Sequence, residues 1–366
     1  MRAHVRARQD RVIRIVREHG SLSIAEVAVR LGVSMVTVRR DAGLLVSEGR
    51  LGRVHGSLVW PGPGRPAQMT LAAPAPAVRA GTVVGMIVPT MGHSFSEVVQ
   101  GAREVLAQGG ARLVLSLSGY LPEEDRSQIE RLVAAGADGL LLTPSWQGAA
   151  LSGEALPLPA ASVPTVLVER WAGPGSAAHG LDRVRSDSAF GAACAVRHLA
   201  ALGHRRIALA LQDGPHARQL KAGFEDALTC LGLPAESAPC FTPGRTVSEA
   251  ERHDLTQEFL LHGVRGQGVT AAFVHTDADA AVLAPRLQAL GIKIPGDLAL
   301  VVHDDEVAGL SEPALTAVAP PRRAVGAAAA RLLLERLGGG ERGPGRHIDL
   351  LPSLRVRESC GAAPTD

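Results

Sequence analysis

The run Ser34-Met35-Val36-Thr37-Val38-Arg39-Arg40-Asp41 places two hydroxyls, a terminal methyl and two adjacent guanidiniums within eight residues. These groups suit contact with duplex nucleic acid. Arginine forks onto phosphates or base edges, hydroxyls bond to either, and apolar groups meet the thymine methyl. Arg50, Arg53 and His55 follow at a spacing suited to the flanking backbone. Ser34 is placed to cap a helix, because its short side-chain oxygen accepts a free first-turn N–H. Catalytic chemistry is not indicated. The 13 histidines include no HExxH pair, and neither a GxxxxGK[ST] loop nor a GxSxG elbow occurs. His303-Asp304-Asp305 has the composition of a metal cluster but reads as a strand-end turn. No enzyme activity, metal or cofactor is expected.

A helix is expected over residues 5–19, with Val5, Val12, Ile13, Ile15 and Val16 apolar and Gly20 as its stop. Ser23-Ile24-Ala25-Glu26 has the spacing of a capping box. The helix it opens carries Ile24, Val27, Ala28 and Leu31 on one side. After Leu31-Gly32-Val33, a third helix runs from about Ser34 to Ser47, the signature of a helix-turn-helix. Residues 50–59 then suit a short two-stranded wing that points Arg53 and His55 toward phosphates. Residues 1–60 hold 11 arginines and five acids, net +6; with +2 overall, the remainder carries −4. A basic head on a mildly acidic body fits a polyanion-binding module.

Residues 61–81, rich in proline, alanine and glycine, read as an extended linker. From Thr82 the pattern changes to apolar strands alternating with helices, beginning with Val83–Val88. Strand candidates follow at 112–117, 139–142, 163–168, 207–211, 271–274 and 298–302, with helices near 95–108, 123–135, 189–201, 220–231 and 278–290. Such alternation implies parallel sheet, with ligands beyond the carboxyl ends of the strands. The four cysteines form no CxxC pair, arginines interrupt any signal-peptide core, and no apolar run reaches the ~18–20 residues of a membrane helix. A reduced cytoplasm is the expected setting.

Val38-Arg39-Arg40-Asp41, followed by Leu45, Gly49, Leu51, Arg53 and His55-Gly56, resembles the winged helix-turn-helix of DeoR-type bacterial regulators over residues 8–59. Ala42 and Ser57 depart from that pattern without removing a cation. The body resembles the effector domain of LacI/GalR-type repressors, itself similar to periplasmic sugar-binding proteins. The carriers are Val84–Pro89, Ala137–Leu142, Val163–Arg170, His198–Ala208, Ala222-Gly223-Phe224, Ile294–Leu298, Asp304-Asp305 and Arg355–Ser359. The resemblance implies an α/β, two-lobed, periplasmic-binding-protein-like receptor of parallel sheets, preceded by a winged helix-turn-helix. Three crossovers would join the lobes. The expected limits are a head at 1–60, a linker at 61–81, an effector and dimerisation domain at 82–358 and a tail at 359–366. Lobe 1 would span about 82–182 and 322–346, lobe 2 about 183–318 and 347–358. No segment of 60–81 resembles the hinge helix usual in that family.

The same resemblance implies an effector site. Arg218 matches the family's ligand arginine and Asp304 its strand-end acid. Phe95 matches an aromatic at the start of the first helix, to stack on a sugar face or to pack in the core, and Glu169 replaces a commoner Asp. Thr276 stands where an Asn is frequent, and Pro320 where some members have Gln. Trp146 and Trp171 follow apolar strands and could wall the cleft; Asp187 suits a helix cap. The expected partners are operator DNA, a small-molecule effector and a second copy of the chain. Two alternatives stay open: a DeoR-type regulator sensing a sugar phosphate, and a plain sugar-binding receptor.

Overall fold

A computed structural model describes residues 2–19, 21–47, 51–54, 57–59, 76–145, 163–173, 175–234, 238–244, 247–339 and 343–363. The chain divides into two units, Met1–Pro74 and Ala75–Asp366.

In the first unit, α1 (Arg2–His19), α2 (Ile24–Leu31) and α3 (Met35–Ser47) pack around Val12, Val16, Val27, Leu31, Val38, Ala42 and Leu45. Local sequence explains the boundaries. Ser23 accepts the Glu26 N–H while the Glu26 carboxylate accepts the Ser23 N–H, the reciprocal box that starts α2. Gly32 ends it in the left-handed conformation (φ 67°), open to glycine at little cost. The wing differs from expectation by one strand. Besides β2 (Gly52–Val54) and β3 (Ser57–Val59), a strand β1 (Ser21–Ser23) pairs with β3, giving the antiparallel order β1-β3-β2. Burial of Leu22 and Leu58 between sheet and helices accounts for the addition.

The second unit contains two six-stranded sheets. The first combines β4 (Val83–Val88), β5 (Arg112–Leu117), β6 (Gly139–Leu142), β7 (Thr165–Val168), β8 (Asp182–Ser186) and β14 (His347–Leu350) in the order β14-β8-β7-β6-β4-β5. Helices α4 (His93–Gln108) and α5 (Pro122–Ala134) connect its early strands. The second sheet holds β9 (Ile207–Ala210), β10 (Cys240–Phe241), β11 (Ala271–His275), β12 (Ala299–His303), β13 (Thr316–Ala319) and β15 (Ser353–Arg355) in the order β10-β9-β11-β12-β13-β15. Its helices are α6 (Ser188–Ala201), α7 (Ala217–Cys230), α8 (Glu249–Gln267) and α9 (Asp277–Ala289). Returning from the second lobe, α10 (Arg322–Leu337) buries Val325, Ala329 and Leu333 in the first lobe's core.

The expected lobe limits shift accordingly. Residues 183–186 and 347–350 belong to the first lobe, not the second, because β8 and β14 pair in parallel at its edge. The Arg336 guanidinium grips Asp182 through two bonds, 2.6 and 2.8 Å long, and fixes that edge. The three crossovers fall at Asp187, at Pro320-Pro321 and at Leu351-Pro352. Asp187 joins the first to the third through its N–H on Leu350 O (2.8 Å) and caps α6 through its carboxylate (2.9 Å to Phe190 N). Residues 76–81, expected as linker, fall in the second unit: Val78 N donates to Gly109 O (3.1 Å) and its side chain packs on the first lobe's core. Among the described residues no helix is long and apolar enough to cross a membrane.

Candidate functional sites: a nucleic-acid-reading head and an interlobe cleft

On α3, Val38, Asp41, Ala42 and Leu45 form the buried i, i+3, i+4, i+7 row. Ser34 and Met35 are exposed, and Thr37 is half-buried. Ser34 Oγ accepts the Thr37 N–H (3.2 Å) and bonds the Thr37 hydroxyl (2.9 Å), so both hydroxyls help to start the helix. Asp41 is buried and held by Arg8 of α1, with Nε at 2.5 Å and a second bond at 3.2 Å. The acid in the Arg-Arg-Asp run therefore braces α1 against α3. On an open reading face it would repel phosphate. Arg39 and Arg40 lie on α3 outside the buried row, and Arg53 lies on β2; their side chains, with Arg50 and His55, fall outside the described residues.

In the second unit, the carboxyl ends of β7, β11 and β12 bring polar groups from both lobes together. Asp304, just beyond β12, is buried and receives Arg322 from the start of α10, with His303 Nδ1 at 3.3 Å from the same oxygen. Burial alone would raise the Asp304 carboxyl; the Arg322 charge and the adjacent His303 hold it well below its usual range. From the first lobe, Arg170 lies over Phe95 (5.9 Å) and donates to Pro144 O (2.6 Å) and Glu169 O (2.9 Å). Burial lowers it to about 10, so it remains a cation at neutral pH. Nearby, Asp125 accepts the Ser145 N–H (2.6 Å), and Ser145 Oγ meets Ser118 Oγ at 3.3 Å. Glu169 (φ 52°) and Asp304 (φ 78°) both adopt left-handed backbone, a cost that side chains usually bear where a site demands it.

The expected effector residues divide. Arg218, exposed on α7, stacks over Trp171 beyond β7 (5.2 Å), a contact that spans the two lobes. Asp304 stands at the strand end, but one of its oxygens is taken by Arg322. Two more already make bonds within the protein. Glu169 is not a free acceptor, because Ser186 N (3.0 Å) and Oγ (2.8 Å) take both its oxygens and tie β7 to β8. Thr276 is the cap of α9, accepting the Asp279 N–H at 3.3 Å. Phe95 is buried in the first lobe's core beneath Arg170. Trp146 lies outside the described residues. Sequence reasoning missed Arg170, Arg322 and His275, and also His216, whose ring lies 6.3 Å from that of His303. One signal was available: Ala271-Ala-Phe-Val-His275-Thr-Asp277 and Ala299-Leu-Val-Val-His303-Asp-Asp305 end alike, and the parallel register places His275 opposite His303. Asp305 of the sequence triplet is instead held by Arg355 and Arg357.

Comparisons agree with both units. The DeoR-like helix-turn-helix domain family matches residues 8–62, and the periplasmic binding protein-like domain family matches 196–360. The chain joins a DeoR-like helix-turn-helix to the effector domain of LacI/GalR-type regulators; it is a DNA-binding transcriptional regulator. It is similar to the HTH-type transcriptional regulator MalR of Streptomyces coelicolor, 28% identical over 93% of this chain and 97% of that protein. The arabinose metabolism transcriptional repressor of Geobacillus stearothermophilus is 26% identical over 91% and 89%. Among solved structures, the transcriptional regulator CelR in complex with cellobiose superposes with a TM-score of 0.63, 24% identity, and 89% and 91% of the two chains covered. A LacI-family regulator of Enterococcus faecium with bound ribose gives 0.61 and 23%, over 78% and 100%. These last two likenesses concern the fold.

Proposed function

We propose that the chain works as a homodimeric repressor whose hold on operator DNA is set by a small polar effector, of carbohydrate or related type, bound between the lobes. The observation that carries this reading is the convergence of Arg170, Arg322, Asp304 and the Arg218–Trp171 stack where both sheets present their carboxyl ends. Cations, an acid and an aromatic face are what a polyhydroxy ligand needs for orientation. The arabinose repressor and the ribose and cellobiose complexes favour the same ligand class. An effector shifts DNA binding only through its different affinities for the two closure states of the lobes.

Dimerisation is supported by β5. It ends its sheet, and Leu115 and Leu117 are exposed on it beside Met91. A groove of about 650 Å³ runs between α4 and β5, lined by Met91, Val99, Leu113 and Leu115 with Gln100, Arg103 and Arg112 among them. An apolar edge of this kind is a ready surface for a second copy. Two heads would then meet half-sites separated by whole turns of the duplex. Sedimentation of the full chain should give twice the monomer mass.

In the head, Arg39 and Arg40, with Ser34 and Thr37, engage bases and phosphates, while Arg50, Arg53 and His55 clamp the backbone. Changing Arg39→Ala together with Arg40→Ala should abolish the operator shift and leave the circular dichroism native; unchanged affinity would remove α3 from the interface. For the effector, a thermal-shift screen of mono- and disaccharides, nucleosides and sugar phosphates should find ligands that raise the melting midpoint. Arg218→Ala should then weaken the effector response more than tenfold, roughly 1.4 kcal/mol, with operator affinity retained. An unaltered effector titration would exclude Arg218.

A further inference from the structure

Two buried imidazoles at the ends of β11 and β12 have ring nitrogens that the protein leaves without hydrogen bonds. His275 and His303 are 8% and 2% exposed. His275 bonds the Gln212 backbone through one ring nitrogen, and its Nδ1 has no hydrogen-bond partner. His303 Nε2 has no hydrogen-bond partner among the described residues, and its Nδ1 meets only Asp304 Oδ1, at 3.3 Å. The rings meet edge to face, 5.3 Å between centroids and 81° between planes, so their edges converge. Polar atoms buried in this way call for an occupant.

We propose that His275, His303 and Asp304 bind one divalent transition-metal ion, of the Zn²⁺, Co²⁺ and Ni²⁺ class, in the interlobe cleft. One donor atom from each residue lies within 4.8 Å of the other two. Ligands at about 2.0–2.2 Å from a shared ion require only small side-chain rotations from that spacing. Two nitrogens and one carboxylate oxygen select this class of ion over Ca²⁺ or Mg²⁺, which take oxygen shells. The Gln212 bond orients His275 as outer-shell partners orient metal-binding histidines generally. Arg322 and His303 Nδ1 both approach Oδ1 of Asp304, so the ligating carboxylate would share its charge between the guanidinium and the ion. Asp304 and Asp279 supply negative charge beside His275, and Arg322 opposes it at Asp304. Three protein ligands leave at least one coordination position for water or a polar group of the effector.

The test uses the full chain, stripped by dialysis against a chelator and titrated with Co²⁺ as the probe. Equilibrium dialysis should give one ion per chain with the visible absorption of a low-symmetry site. His275→Gln and His303→Gln should each weaken uptake by at least about 100-fold. His204→Gln, altering a histidine hydrogen-bonded to Thr270, should change nothing. Melting curves establish that each variant is folded, and Asp304→Asn supplies a third arm should a histidine variant fail to fold. Zn²⁺ should also raise the melting midpoint of the parent chain but not of the variants. No stoichiometric uptake by the parent chain overturns the proposal, as does uptake equal in all folded variants. Sugar binding without metal uptake would assign the orphaned nitrogens to the effector's hydroxyls and also overturn it. An operator shift measured on the same samples separates the two readings: its absence counts against the regulator, not the metal site.

Discussion

Replacing Gly326 with alanine should lower the melting midpoint of the receptor unit by about 4–6 °C, although alanine is the better helix former. The glycine lies where α10 crosses α4. A Cβ built there would sit 1.9 Å from the Val98 carbonyl oxygen, and one on Gly101 would sit 2.0 Å from that of Arg323. Both obstacles are backbone, so no rotamer change relieves them and the helices must separate. Around the crossing lie Val98, Ala102, Val325, Ala329, Ala330 and Leu333, all buried. Because the clash is with backbone, prising the contact open falls at the upper end of the overpacking range, about 3 kcal/mol, against about 1 kcal/mol gained from helix propensity. At roughly 2–4 °C per kcal/mol, the net loss is readily measured by calorimetry. Gly266→Ala on α8 is the control. Its Cβ would meet only the His262 ring at 3.4 Å, and the midpoint should stay level or rise slightly. If both substitutions behaved alike, the close crossing would not be what holds α10 to the first lobe. The second lobe repeats the device: a Cβ on Gly223 would fall 2.0 Å from the Ala189 oxygen of α6, which explains a glycine in the Ala222-Gly223-Phe224 run.

The other large effect concerns Arg322. Its guanidinium neutralises Asp304, with only 14% and 11% of the two side chains exposed. Arg322→Met should destabilise the unit by about 3–5 kcal/mol at neutral pH, because a buried carboxylate is left without its partner. The double variant Arg322→Met, Asp304→Asn should recover more than half of that loss, since no charge then remains stranded. Urea unfolding of the four members of the cycle checks this. If the double variant is no more stable than the single one, Arg322 serves by packing alone. The pair also has a place in regulation. Asp304 follows β12 in the second lobe, while Arg322 opens the helix that returns to the first. An effector that competes for either group acts on a joint between the lobes, so the single variant should also shift the effector midpoint.

The amino-terminal unit was legible because its signals are local. A capping box, a left-handed glycine and a 3.6-residue apolar rhythm are each complete within a few positions, and they defined α2 and α3 closely. The buried strands of the receptor were legible as continuous apolar runs. Several elements were not, among them β8, α8, β13 and α10. Asp182-Arg-Val-Arg-Ser looks polar, and becomes β8 because Arg336 and Asp349 pair with its charges from the distant carboxyl-terminal part of the chain. Glu249–Gln267 is rich in charge and only weakly two-faced, yet α8 buries His253, Thr256, Leu260 and Gly263 against its neighbours.

From residue order alone came the two-part plan, a cationic DNA-reading head on a receptor of parallel sheets, because composition and periodicity record which faces must be buried. Tertiary structure alone decided which charged side chains are free to meet a ligand. Glu169 looked available, but Ser186 bonds both its oxygens. His275 and His303 looked unrelated, but parallel pairing sets them side by side. Availability depends on partners brought together by folding, such as Arg322 for Asp304, and no local spacing encodes those.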